Sequence, residues 1–183
     1  DALRASTAEG LEHLRFCAEI YAWQIAQGRF ILHEHPAGAW SWKTPEIQGI
    51  SQLSGVRVVT GNQCMWGMTV QGIPARKRTR WMGNCDEIID MLDLRCDGRH
   101  GPHHRLMGGT AHFAERYTAK MCSAILKALR DGLVRQGHIE GQERHKDLES
   151  AFPTEARMEQ KRKEKERKAA GKEPKRRKKT TNK

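Results

Sequence analysis

Phe30-Ile31-Leu32 runs straight into His33-Glu34-His35-Pro36, an apolar triplet followed by an acid between two imidazoles. A short apolar run after Gly28 reads as a buried strand, and Pro36 has no N–H to donate to a ladder, so the strand stops at its polar end. Ligands of open α/β sheets gather at such strand ends. Glu34 at the mouth of a crevice would lose part of its hydration, which raises a carboxyl pKa and lets the group share a proton with a ligand. Glu34 is therefore the candidate catalytic residue; the competing reading is a polar strand edge that meets water. His33 and His35 stand two apart and share a strand face, which admits a metal-dependent hydrolase or nuclease. That chemistry lacks a carboxylate ligand, because Glu34 points to the other face.

A second concentration of chemistry is Cys96-Asp97-Gly98-Arg99-His100-Gly101-Pro102-His103-His104, one thiol and three imidazoles in nine residues. Cys96, His100 and His103 have metal-ligand spacing, and zinc would take a fourth donor from Cys64 or Cys85. The paired C-x2-C pattern is missing, so a histidine-rich loop touching phosphate or solvent stays open as the alternative. A third group is Arg76-Lys77-Arg78-Thr79-Arg80-Trp81-Met82, where Arg76, Lys77, Arg78 and Arg80 suit nucleic-acid phosphates. Charged edge strands also serve simply to block edge pairing.

The elements that must position these groups follow from periodicity. Ser6-Thr7-Ala8-Glu9 has capping-box spacing, and Leu11, Leu14, Ala18, Tyr21 and Ile25 recur at helical intervals, so a helix is expected over about residues 7–27 with Gly28 as its stop. It leads directly into the central strand, half of a β-α-β unit, and a parallel α/β sheet becomes the expected architecture. The loop from Ala37 to Trp42 carries Trp40 and Trp42, which either pack or stack on a planar ligand. Thr44-Pro45 starts a short helix with Ile47, Ile50 and Leu53 on one stripe. Val56 to Thr60 is a second strand, and the Gly61–Gly67 loop after it lies on the same side of the sheet as Glu34. Arg76–Met82 is expected as an edge strand. Asn84-x-x-Glu87 caps a helix with Ile88, Ile89, Met91 and Leu92, and Thr110 or Thr118 caps a last core helix with Met121, Ile125, Leu129 and Leu133, ended by Gly137.

Charge divides the chain unevenly. Of a formal +11 over 183 residues, Pro153–Lys183 carries 14 Lys and Arg against 5 acidic residues, so the rest is nearly neutral. The mean hydropathy of -0.78 likewise places part of the chain outside any core. The division expected is an α/β domain over 1–137, a charged and partly helical linker over 138–170, and a disordered basic tail over 171–183. Lys175, Arg176 and Arg177 lie in that tail, in a run suited to nuclear import or to a polyanion such as nucleic acid. Five cysteines at irregular spacing, with no apolar leader, argue for a reducing compartment, nuclear or otherwise cytoplasmic, and against secretion. No run approaches the ~20 apolar residues of a membrane span. The chain opens on Asp1 rather than Met, so it reads as a piece of a larger polyprotein.

Taken together, Gly28 to Pro36 with Ser41-Trp42, Gln63-Cys64 with Gly67, Lys77-Arg78-Thr79-Arg80 with Asn84, and Cys96-x-x-x-His100 with His103 resemble the methyltransferase-like domain of Pol polyproteins in copia-like retrotransposons. The resemblance covers about residues 10–136. That domain is similar to the later half of the cytosine-5 DNA methyltransferase fold, which implies a Rossmann-like sheet, here incomplete with its N-terminal strands missing, and S-adenosylmethionine as cofactor. It also implies that Glu34, in Glu34-His35-Pro36, contacts a flipped base. His35 and Arg78 depart from the pattern. No cysteine follows a proline, and the glycine-rich cofactor loop and the nucleophile would both lie before Asp1. The expected function is a nucleic-acid-binding part of such a protein, not catalytic by itself; a non-catalytic, zinc-stabilised binding module and a metal-dependent hydrolase are the alternatives.

Overall fold

In the computed structural model, which describes residues 2–107, 110–140 and 162–163, Gly28 does the work the sequence assigns to it. At φ 68° it sits in the left-handed region that costs glycine nothing, ending helix α1 (Ala2–Ala26) and turning the chain toward strand β1 (Leu32–Pro36). The helix begins upstream of Ser6, so the capping box lies within its first turns and does not start it. A 3-10 turn (Trp40–Lys43) leads to α2 (Pro45–Ser51), with Pro45 in the first turn where its missing N–H does no harm. Thr44 stands at the cap position, but its hydroxyl donates to Ser41 O instead of receiving a helix N–H.

Strand β2 (Arg57–Asn62) passes into a 3-10 turn (Gln63–Trp66) and a two-residue hairpin, β3 (Thr69–Val70) with β4 (Ile73–Pro74). Gln71 and Gly72, both at positive φ, make the tight turn. Strand β5 (Arg78–Gly83) and helix α3 (Asp86–Leu92) follow. Residues 93–107 form no helix or strand beyond a single bridge between His104 and Ala75. A 3-10 turn (Thr110–Ala114) precedes α4 (Ala119–Arg135). Thr118, one of the two expected caps, accepts from Met121 N–H at 3.2 Å. No described helix is long and apolar enough to cross a membrane.

The fold is mixed α/β, but its main sheet is antiparallel in order β1-β5-β2, and the expected parallel Rossmann-like sheet is not what forms. The reason is β5. Strands β1 and β2 do run in the same direction across the intervening α2, as a β-α-β unit requires, yet β5 inserts between them and pairs antiparallel with both. The Arg76–Met82 stretch is thus mostly the central strand and not an edge: Thr79, Trp81, Met82 and Gly83 are buried, and the cations fall at its open end or against Trp42. The expected Asn84 cap is also corrected. Cys85 takes the cap position of α3, while Asn84 accepts from Ile31 N–H at 2.8 Å and donates to Arg29 O, tying the entry of β1 to the exit of β5.

Alternation along the strands sends side chains into two cores. Leu32, Val59 and Trp81 face α3 and α4, whose Ile88, Ile89, Leu92, Met121 and Ala128 complete that layer. Met82 faces the other way, toward Leu14 and Ala18 of α1, Ile47 and Ile50 of α2, and Trp42. Arg135 clamps α4 to α3 by donating to Glu87 at 2.6 Å, which holds that carboxyl down at about 2.

Of the described residues beyond 140, Arg162 and Lys163 are helical and exposed. The remainder of the expected linker beyond residue 140, and the tail with Lys175, Arg176 and Arg177, lie outside the described residues.

Gly61 of β2 approaches α3 so closely that an added Cβ would overlap the carbonyl oxygen of Leu92, a backbone atom with nowhere to go. Gly61→Ala should therefore destabilise the fold by about 1–3 kcal/mol, the usual cost of overpacking. An unchanged urea midpoint would show that α3 is free to shift.

Candidate functional site

Because β1 and β2 run in the same direction, the ends that carry Glu34 and Gln63 open on one side of the sheet, as expected. Glu34 pairs with Trp81 across the ladder and faces the α3/α4 layer. Its Oε1 is buried without a hydrogen bond among the described residues, and the Lys77 ammonium stands 3.7 Å away. Tyr117, just before the α4 cap, completes the group: its ring lies 6.1 Å from that of Trp81 and 5.7 Å from Lys77 Nζ. Burial, and then the Glu34 carboxylate, push the Tyr117 phenol well above its ordinary value, so it stays protonated and able to donate. Gln63 is fully buried, donating to Thr79 Oγ1 at 2.8 Å and to Lys77 O through its backbone. Its own Oε1 has no hydrogen-bond partner among the described residues.

On the opposite sheet face, His33 is enclosed by Tyr21, Trp42 and His35. Its Nδ1 shares a 3.1 Å hydrogen bond with the Tyr21 hydroxyl, and its Nε2 is buried without a partner among the described residues. Burial, with His35 as a second cationic site alongside, lowers its pKa to about 4, so it is a neutral core imidazole. His35 is occupied with Ser41. Trp42 is buried packing against His33 and under Arg80, whereas Trp40 is exposed. His33 and His35 do not belong to the one group of three or more metal-capable side chains among the described residues.

That group is Cys64, Cys96, His100 and His103, whose donor atoms all lie within 4.8 Å of one another and could hold a metal ion. The three donors picked out by spacing are brought together, and the structure decides the fourth. Cys85 instead donates to Glu87 and packs under α4, while Cys64, in the 3-10 turn after β2, points into the cluster. Cys96 Sγ is 3.1 Å from His100 Nε2 and 3.3 Å from His103 Nε2. Burial and the neighbouring Cys96 thiol push the Cys64 thiol up to about 11, while desolvation, then His100 and Arg76, lower His103.

Two positioning residues escaped sequence reasoning. Asn62 Oδ1 accepts from Cys96 N–H at 2.9 Å across 34 positions, and Tyr117 reaches Glu34 from outside the strand. Neither contact has a local sequence signal, although a polar residue ending an apolar strand, as Asn62 does, invites the question of what it bonds.

The basic strip divides in four. Arg76 lies beside Cys64 and His103, Lys77 pairs with Glu34, Arg78 is exposed, and Arg80 stacks 5.3 Å over Trp42. No ion pair among the described residues involves Arg76 or Arg78. Among the described residues no glycine-rich turn of the kind that holds S-adenosylmethionine leads from a strand into a helix. No protein-family model, curated protein or solved structure matches the chain.

The enclosure of His33 has a measurable pH signature. Its folded pKa of about 4 lies below the ordinary 6.5, so protonation favours the unfolded chain. The stability it contributes is full above 6.5 and is lost as the pH falls toward 4. His33→Phe should remove that share of the pH dependence, read as the difference between wild-type and variant urea midpoints. Parallel pH profiles for the two proteins would mean that His33 is solvated.

Proposed function

We propose that the chain is a nucleic-acid-binding module of the methyltransferase-like type found in retroelement polyproteins, binding without catalysing on its own. The observation that carries the binding is a juxtaposition. At one end of the sheet, Arg76 and Arg78, exposed and free of ion pairs among the described residues, lie just before and at the start of β5, the strand that pairs with Glu34's own, and the Glu34 carboxyl has a buried oxygen with no hydrogen bond among the described residues and the Lys77 ammonium 3.7 Å away. Cations that already have carboxylate partners gain little from a phosphate; these two have none to give up. A carboxyl oxygen shielded from water is suited to a hydrogen-bond donor on a base edge, with Lys77 and Tyr117 supplying the counter-charge and the donor around it. The resemblance supports the methyltransferase-like assignment through Glu34-His35-Pro36 and Gln63-Cys64. It also accounts for the missing chemistry, since neither a Pro-Cys nucleophile nor a cofactor turn is present in this sequence.

The Cys/His cluster favours the form of this reading in which a metal braces the module. The hydrolase reading has no comparable support, because His33 is buried and neutral and His35 is held by Ser41.

Binding of the full chain to a labelled DNA duplex, followed by fluorescence anisotropy across a salt series, tests the proposal. Affinity should fall steeply with salt, and Arg76→Ala with Arg78→Ala should reduce the log–log slope by about 2, one phosphate contact for each cation. A slope unchanged in the double variant would leave binding to the basic tail and remove the sheet end from the reading. Glu34→Gln should leave the slope intact while changing discrimination among single-stranded oligonucleotides of different base composition. If discrimination is unchanged, Glu34 does not face a base.

A further inference from the structure

We infer that Cys64, Cys96, His100 and His103 bind one zinc ion as a closed, four-coordinate structural site that fastens residues 93–107 to the end of β2. The inference is independent of nucleic-acid binding. Two thiolates and two imidazoles form a borderline-soft donor set that suits zinc and excludes magnesium or calcium, which take oxygen. A tetrahedron with bonds of ~2.0–2.3 Å has edges of roughly 3.3–3.8 Å. Donors all within 4.8 Å of one another, with Cys96 Sγ at 3.1 and 3.3 Å from the two imidazole nitrogens, need only small shifts to reach it.

The surroundings are those of a built site. Gly98 and Gly101, at φ 80° and 96°, fold the segment tightly enough for residues 96, 100 and 103 to face one point. The Gly98 N–H donates to Cys96 Sγ at 3.3 Å, which stabilises a thiolate, and Asn62 fixes the backbone at Cys96 from the end of β2. Four protein ligands leave no open position for a reactive water, so the site is structural and not hydrolytic. What the metal fastens is plain from the backbone. Besides the Cys96–Asn62 contact, residues 93–107 meet the β2–β4 region through Asn62 N–H to Leu94 O, His104 N–H to Pro74 O and the packing of Leu106 on the cluster of Met68, Val70 and Ala75. The segment has no regular structure of its own.

The test is metal analysis of the full chain purified without added metal or chelator, with X-ray absorption at the zinc edge. One zinc per chain, with two sulfur and two nitrogen ligands, is the expected result. Cobalt exchange should give the intense visible bands of a tetrahedral thiolate complex. Cys64→Ser, Cys96→Ser and His103→Ala should each weaken zinc by more than the 10–100-fold expected of the positioning variant Asn62→Ala. Cys17→Ser with Cys122→Ser should retain it fully. Chelation should open trypsin cleavage after Arg95, Arg99 and Arg105. A chain that purifies metal-free and takes up neither zinc nor cobalt would overturn the site, leaving a hydrogen-bonded Cys/His cluster. A single sulfur ligand would overturn the assignment of Cys64, and this holds even if the Cys64 variant fails to fold, because it is read on the unaltered chain.

Discussion

Everything that resembles a site in this protein depends on one strand satisfying two others. Strand β5 pairs with β1 through Leu32↔Gly83 to Pro36↔Thr79, and with β2 through Arg57↔Gly83 to Asn62↔Arg78. Backbone groups in the buried strands have no water to turn to, so the register is enforced by hydrogen bonding as well as by the alternation of Thr79, Trp81 and Gly83 with Arg78, Arg80 and Met82. Slipping β5 by one residue would put Arg80 into the α3/α4 core and Trp81 under α1. The same register puts Glu34 opposite Trp81 and brings Lys77, immediately before β5, within reach of Glu34.

The helices and the Cys/His donors were more legible in the sequence than the sheet. Helix periodicity is local: Met121, Ile125 and Leu129 announce α4, and Gly28, Pro45 and Gly137 mark ends through their own backbone preferences. Strand direction is not local. A helix feeding an apolar strand suggests a parallel sheet, and β1 and β2 do share a direction, yet nothing in either strand reveals that a third will come between them. Arg76–Met82 read as an edge because its cations are conspicuous, while the alternating Thr79 and Trp81 that bury it are only two residues. In the same way, spacing picked out Cys96, His100 and His103, since a nine-residue loop keeps its members close whatever the fold. Cys64, 32 residues upstream, could be offered beside Cys85 but not chosen, because the choice is made by how β2 ends and α3 packs.

Histidine also shows why residue type alone misleads. His33 and His103 stand in similarly suggestive company, but His33 is shut between Tyr21 and Trp42, where the neutral ring serves as packing, and His103 faces two thiols and another imidazole. The difference is one of facing partners. A strand sends His33 into an apolar layer, whereas a glycine-flexed loop lets His103 turn toward whatever donors the neighbouring strand end presents.

The Glu34–Lys77 pair and the Cys/His cluster meet at two consecutive residues. Gln63 holds the carbonyl of Lys77, whose ammonium is the nearest counter-charge to Glu34, and Cys64 is the cluster's donor from that turn. Thr118 adds a second tie, donating to Trp66 O at the end of the same turn while capping α4, next to Tyr117. A 3-10 turn of four residues has little rigidity of its own, since its hydrogen bonds are poorer than those of an α-helix. Whatever fixes Cys64 therefore also limits how far Lys77 can move from Glu34. A metal at Cys64, remote from the chemistry of any base, would act on Glu34 through the backbone by holding its counter-ion in place.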